Sequence, residues 1–236
     1  MISESVRVTS DDVTLDGDLI VPGGARGIVV FAHGNGSSRL SPRNRAVATG
    51  LRRASFGTLL LDLLTGDEER EDVATAGHRF DIALLARRLV DAVDWVERRP
   101  DTTDLPVGLF GASTGAAAAL VAAAERPRQV AAVVSRGGRP DLAGDVLPMV
   151  VAPVLLVVGG SDPVVLDLNR EAAERLSVPH LTHIVAGATH LFPEPGALDQ
   201  VTEAAAGWFR DHLRGRADDE RPGRSRDTVR GPSSSS

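Results

Sequence analysis

A serine between two glycines, in Gly111-Ala112-Ser113-Thr114-Gly115, stands between the apolar run 107–110 and an Ala-rich segment reaching residue 126. If the run is a strand and the segment a helix, this is the setting in which Gly-x-Ser-x-Gly presents a nucleophile. The reason is steric: a sharp strand-to-helix turn crowds the flanking positions, and glycine there removes Cβ atoms that would clash with the neighbouring strand and helix. The turn also puts Ser113 at a helix N-terminus, where the dipole and free N–H groups favour the negative charge that develops on acylation. The sequence has no Cys and no Lys, all 26 basic residues being Arg. Thiol nucleophiles, disulfides, Cys-bound zinc, Schiff bases and a phosphate loop ending in Gly-Lys are thereby excluded, and Ser113 is the expected nucleophile.

A serine needs a base. Of the six histidines, His190 follows the last apolar run and precedes the last helical pattern, in Gly187-Ala188-Thr189-His190. Loops at that edge of a parallel sheet converge on the ligand crevice. The other histidines have structural explanations: His33 in a glycine-rich turn, His78 at a helix start, His180 and His183 in or beside a strand, His212 near a helix C-terminus that favours positive charge. The acid that orients the imidazole and stabilises its charged form is expected at Asp162, in Gly159-Gly160-Ser161-Asp162-Pro163. Asp before Pro also suits a helix N-cap, and one side chain can serve both ends. Asp141 and Asp145, one loop earlier, are the alternative acids. For the oxyanion, the backbone N–H of Thr114 is one donor. The second is expected from the loop His33-Gly34-Asn35-Gly36-Ser37-Ser38, at Asn35 with Gly34 next.

These loops need a regular scaffold. Short β-branched runs alternate with helical patterns, which implies βα units and a mainly parallel α/β sheet with helices on both faces. Residues 6–9 and 13–21 alternate in polarity around Ser10-Asp11-Asp12 and predict an N-terminal antiparallel hairpin at the sheet edge. Further strands are expected at 27–32, 58–62, 107–110, 130–135, 154–158 and 181–185, and helices at 42–53, 78–98, 115–126, 164–176 and 197–214. In 78–98, Ile82, Leu85, Leu89, Ala92 and Val96 recur at spacings of three and four, with Arg87, Asp91, Asp94 and Arg98 opposite. The acidic stretch 66–72 reads as a loop. Residues 1–214 are expected to form one domain, and 215–236, with almost no large apolar side chain, a disordered tail. The net charge of −6 argues against nucleic acid or an anionic membrane as partner. No uncharged apolar stretch reaches the ~18 residues of a membrane span and no leader is evident, so the expected location is cytoplasmic.

In that order, HGNGSS, GASTG, GGSDPVV and GATHLF resemble the motifs of a serine α/β-hydrolase of the dienelactone-hydrolase-like family, over roughly residues 6–214. Ser113 stands where dienelactone hydrolase itself has a cysteine. The resemblance implies the α/β-hydrolase fold, with Ser113, Asp162 and His190 as triad in that chain order. It also implies hydrolysis of a small ester or lactone without cofactor or metal. In similar proteins the hydrolase unit is sometimes fused to a phosphoribosyltransferase, and nothing in these residues resembles such a partner. The stretch 136–151 is too short for a large cap domain, so a shallow, open site is expected. Five arginines flank the crevice, Arg39, Arg43 and Arg45 on one side and Arg136 and Arg139 on the other. Arg39, Arg136 and Arg139 are the candidate ligands for a substrate carboxylate. The same triad would serve an acyltransferase or a perhydrolase, and a hydrolase fold without turnover would be a binding or regulatory module.

Overall fold

The computed structural model describes residues 1–34 and 36–213. Its strands are β1 (Ile2–Ser10), β2 (Val13–Val21), β3 (Ile28–Ala32), β4 (Gly57–Leu61), β5 (Val107–Ala112), β6 (Val130–Arg136), β7 (Val154–Gly159) and β8 (His180–Val185). They form one sheet in the order β1-β2-β4-β3-β5-β6-β7-β8. From β4 across to β8 every pair is parallel, while β1 and β2 pair antiparallel with each other and β2 joins β4 antiparallel. The hairpin and the parallel sheet match the sequence expectation, and among the described residues only the 3-10 segment Pro140–Met149 lies between β6 and β7. The first strand is longer than its polarity suggests, because the pairing Ile2↔Val21 extends the ladder through exposed residues that periodicity does not mark.

The helices are α1 (Pro42–Arg53), α2 (Gly66–Thr75), α3 (Ile82–Arg98), α4 (Thr114–Glu125), α5 (Pro163–Arg175) and α6 (Ala197–His212). Strand alternation divides the core in two. Val29 and Phe31 of β3 pack beneath α1 and α6, whereas Ile28, Val30 and Ala32 pack beneath α3 and α4. Burying each large side chain such as Phe209 of α6 contributes roughly 1.5–3 kcal/mol. The alanines of α4 let it approach the sheet closely, and Ala116 to Ala119 are fully buried.

The acidic stretch expected to be a loop is helix α2. Its polar composition hides any apolar stripe, but the end is specified by Thr65-x-x-Glu68. The Thr65 side chain accepts from the Glu68 amide and the Glu68 carboxylate accepts from the Thr65 amide, two donors satisfied reciprocally. Asp67, Glu68 and Glu69 also complement the positive end of the helix. Glu68 is then gripped by buried Arg88 of α3 through two bonds of 2.7 and 2.6 Å, and Arg88 donates to the Leu63 carbonyl at 2.6 Å. At the far end Asp72 receives three donor contacts from Arg79, two on its carboxylate and one on its carbonyl, which ties α2 to the short 3-10 turn His78–Phe80.

The bond from Arg88 holds the Glu68 carboxyl down to about 2 from its ordinary 4.5, against the opposing effect of burial. A depressed carboxylate stabilises the fold above its unfolded pKa and loses that contribution as pH falls through the folded one. Glu68→Gln should therefore lower Tm most near pH 6, and the gap to wild type should close between pH 4.5 and about 2 in thermal melts. Arg88→Met, which strands both Glu68 and the Leu63 carbonyl, should cost ~2–4 kcal/mol in urea unfolding.

Candidate active site

β5 delivers the chain to Ser113, and α4 takes it away at Thr114. Ser113 has φ 52° and ψ −124°, a conformation that costs a non-glycine residue roughly 1–3 kcal/mol and persists only where the surroundings impose it. Here they do. A Cβ on Gly111 would lie 2.4 Å from Ala116 Cα, and one on Gly115 would lie 2.3 Å from the Ala32 carbonyl oxygen and 2.6 Å from that of His33. The Ser113 amide donates to the Arg136 carbonyl at 3.4 Å, and the Ser113 carbonyl accepts from Ala116 at 3.1 Å and Arg139 at 3.0 Å. The nucleophile turn is thus wedged between β3, α4 and the chain leaving β6.

His190 and Asp162 come from the loops after β8 and β7, neighbours in the sheet. Those loops are stitched together by Gly160 N–H to Val185 O at 2.8 Å and Ser161 N–H to Ala188 O at 2.9 Å. His190 Nδ1 lies 2.8 Å from Asp162 Oδ2. The pairing puts the ring proton on Nδ1 and leaves Nε2 as an acceptor. Asp162 is also the N-cap of α5, its Oδ1 accepting from the Val165 amide at 3.5 Å. The alternative acids are occupied elsewhere: Asp141 forks with Arg139 at 2.9 and 2.7 Å, and Asp145 pairs with Arg175 at 2.9 Å. Ser113, Asp162 and His190 line one cavity of about 320 Å³, together with Phe80, Thr114 and Arg139. The Ser113 hydroxyl makes no hydrogen bond among the described residues. In unliganded sites the nucleophile-to-base contact is often long and tightens with substrate.

Thr114 opens α4, so its N–H belongs to the first turn and has no intrahelical acceptor. Asn35, the other expected oxyanion donor, lies outside the described residues, as does segment 214–236 with the tail expected there. Gly34 is described, and it touches the nucleophile: a Cβ there would be 2.7 Å from Ser113 Cβ. His33 braces this loop. It is buried, its Nε2 accepts from the Leu63 amide at 2.9 Å, and its Nδ1 lies 3.1 Å from the Gly34 carbonyl. Burial lowers its pKa, outweighing the Gly34 bond and the Asp62 charge, so it stands neutral between two loops.

The expectation of an open site holds on the β6 side, where only the 3-10 segment Pro140–Met149 follows. It fails on the other side. α2 and the turn after it rise beside the nucleophile and enclose a second cavity of about 240 Å³, which touches Gly34 and Thr114 and is walled by Leu64, Glu69, Val73 and Leu85. The Thr65-x-x-Glu68 capping pattern was the signal that marks this wall in the sequence.

The three arginine candidates part company. Arg39 is committed to Asp62 through its side chain and its amide, with Asp18 3.9 Å away, and it lines neither cavity. It secures the β2–β4 side and does not reach the crevice. Arg139 lines the Ser113 cavity, but Asp141 occupies its guanidinium. Arg136 is buried at the end of β6 and, like Arg39, is not among the residues lining either cavity, but unlike Arg39 it has no carboxylate partner among the described residues. Among the described residues, no group of three or more His, Asp or Glu side chains could hold a metal ion, and no helix is long and apolar enough to cross a membrane.

Residues 15–213 match the family described as the dienelactone hydrolase family. A crystal structure of a dienelactone hydrolase from Anabaena variabilis is 56% identical, with a TM-score of 0.88 over 90% of this chain and 99% of that one. Est1E from Butyrivibrio proteoclasticus, at 16% identity and a TM-score of 0.73 over 88% of this chain and 98% of that one, shares the fold. A Mycobacterium tuberculosis H37Rv protein that carries the provisional name phosphoribosyl transferase is 58% identical over 212 residues, which is 90% of this chain and 47% of the relative. The chain thus spans about half the length of the curated relatives it matches.

Two glycine substitutions separate crowding from backbone freedom. Gly115→Ala must displace two carbonyl oxygens and should cost ~1–3 kcal/mol or more in urea unfolding. Gly207→Ala, in the interior of α6 with nothing within 4 Å of the added Cβ, should raise stability by ~0.5–1 kcal/mol in the same assay.

Proposed function

We propose that this chain, which belongs to the dienelactone hydrolase family, cleaves a small carboxylic ester or lactone through an acyl-enzyme on Ser113. The observation that carries the proposal is the 2.8 Å contact between His190 and Asp162, opening on the cavity that also holds a strained, glycine-flanked Ser113. His190 Nε2 takes the Ser113 proton as Oγ attacks the carbonyl, and the tetrahedral oxyanion sits against the Thr114 N–H at the start of α4. The alkoxide leaves with the proton from His190. Water then attacks the acyl-enzyme, giving its proton to the same imidazole, which returns it to Ser113 as the acid departs. Asp162 remains ionised and holds the imidazole in the productive tautomer.

Cavities of about 320 and 240 Å³ on either side of Thr114 favour a compact substrate, with one space for the acyl group and one for the departing alcohol. The phosphoribosyl transferase name belongs to relatives roughly twice the length of the matched segment, and no residue around Ser113 needs that activity to explain it.

With a short p-nitrophenyl ester, Ser113→Ala should abolish turnover while the circular dichroism spectrum stays native. Asp162→Asn should lower kcat by ~10⁴ through loss of the correct tautomer, with a smaller change in KM. Undiminished turnover in folded Ser113→Ala protein would overturn the proposal.

A further inference from the structure

The mechanism leaves one buried charge without a role. Arg136 is only 7% exposed, and its Nε and Nη1 are buried with no hydrogen-bond partner among the described residues. It ends β6, where its carbonyl accepts from the Ser113 amide. Ala132 and Val134 of the same strand pack beneath α1 and α6, so alternation sends the Arg136 side chain to that face. There it meets a second cation. Burial, and next the charge of Arg43, lower the Arg136 pKa to about 10, and no carboxylate opposes them. Arg43 lies in the first turn of α1, its own Nε is buried without a partner, and that turn holds no acidic residue.

Among the described residues Arg88 is matched with Glu68, Arg79 with Asp72, Arg39 with Asp62 and Arg126 with Asp94, and half-buried Arg52 is held by the hydroxyls of Thr49 and Thr58. Two guanidiniums without a carboxylate at the first turn of α1, one of them on the residue whose carbonyl accepts from the Ser113 amide, have the charge and donors of a receptor for an oxyanion. We propose that Arg136 and Arg43, with the first turn of α1, bind an anionic group, carboxylate or phosphate, carried by the substrate on the side of Ser113 that faces α1. The placement on substrate rests on Ser113 being the nucleophile; the anion site itself does not.

The test begins with Ser113→Ala protein, in which binding is read without turnover. Sodium succinate or sodium phosphate, each compared with sodium chloride at equal ionic strength, should raise Tm by ~2 °C or more. The larger response identifies the group as carboxylate or phosphate. Adding Arg136→Gln or, at the less buried position, Arg43→Gln should remove the shift. With Ser113 intact, the ratio of kcat/KM for p-nitrophenyl hemisuccinate to that for p-nitrophenyl butyrate should fall at least tenfold in either arginine variant if the group is a carboxylate. No anion-specific shift in folded Ser113→Ala protein, or a shift that survives in Arg43→Gln, overturns the anion site. An anion-specific shift together with an inert wild-type enzyme upholds the site and removes the proposed hydrolysis. Turnover without any such shift does the reverse.

Discussion

Everything around the candidate site depends on how closely β3, β5 and the first turn of α4 approach one another. Gly111 and Gly115 leave no room for a Cβ because backbone atoms of Ala116, Ala32 and His33 already occupy the space. That contact forces Ser113 into positive φ, and the strained turn projects the serine from the sheet edge toward loops it would not otherwise meet. The alanines of α4 serve the same end by allowing the helix to lie against the sheet. A bulkier face would hold α4 away and relax the turn.

The sheet edge supplies the partners. β7 and β8 are adjacent and parallel, so the loops after them emerge side by side and can be joined by backbone bonds. Asp162 is constrained twice, as the cap of α5 and as the acceptor for His190. A carboxylate fixed by a helix start is a rigid orienter for an imidazole that is itself more than a third exposed. On the opposite flank, rigidity comes from charge: Arg88 and Arg79 clamp α2 and the turn after it, and neutral His33 ties the glycine-rich loop to the chain after β4. Polar residues with complete hydrogen bonding thus shape one wall, and close backbone packing shapes the other.

The parallel sheet and the Ser113, Asp162 and His190 positions were legible because they rest on local signals: β-branched runs, glycines at a crowded turn, and polar residues at the ends of those runs. Three features were not. Helix α2 lacks an apolar stripe; its Thr65-x-x-Glu68 capping pattern is written in the sequence, but the grip of Arg88 on Glu68 exists only once the fold brings α3 beside it. The engagement of Arg39 with Asp62 and of Arg139 with Asp141 depends on side-chain reach. Sequence marks an arginine near a crevice without saying which carboxylate claims it. Arg136 is the converse case, since its lack of a counter-ion is visible only when every neighbour is in place.

The chemistry assigned to the strained serine is tested most directly by covalent trapping. A fluorophosphonate probe applied to the folded protein, followed by peptide mass spectrometry, should give one adduct per chain on the peptide containing Ser113, and labelling should slow sharply in Asp162→Asn. A folded protein that takes no label, or takes it on another residue, would contradict a nucleophile at Ser113.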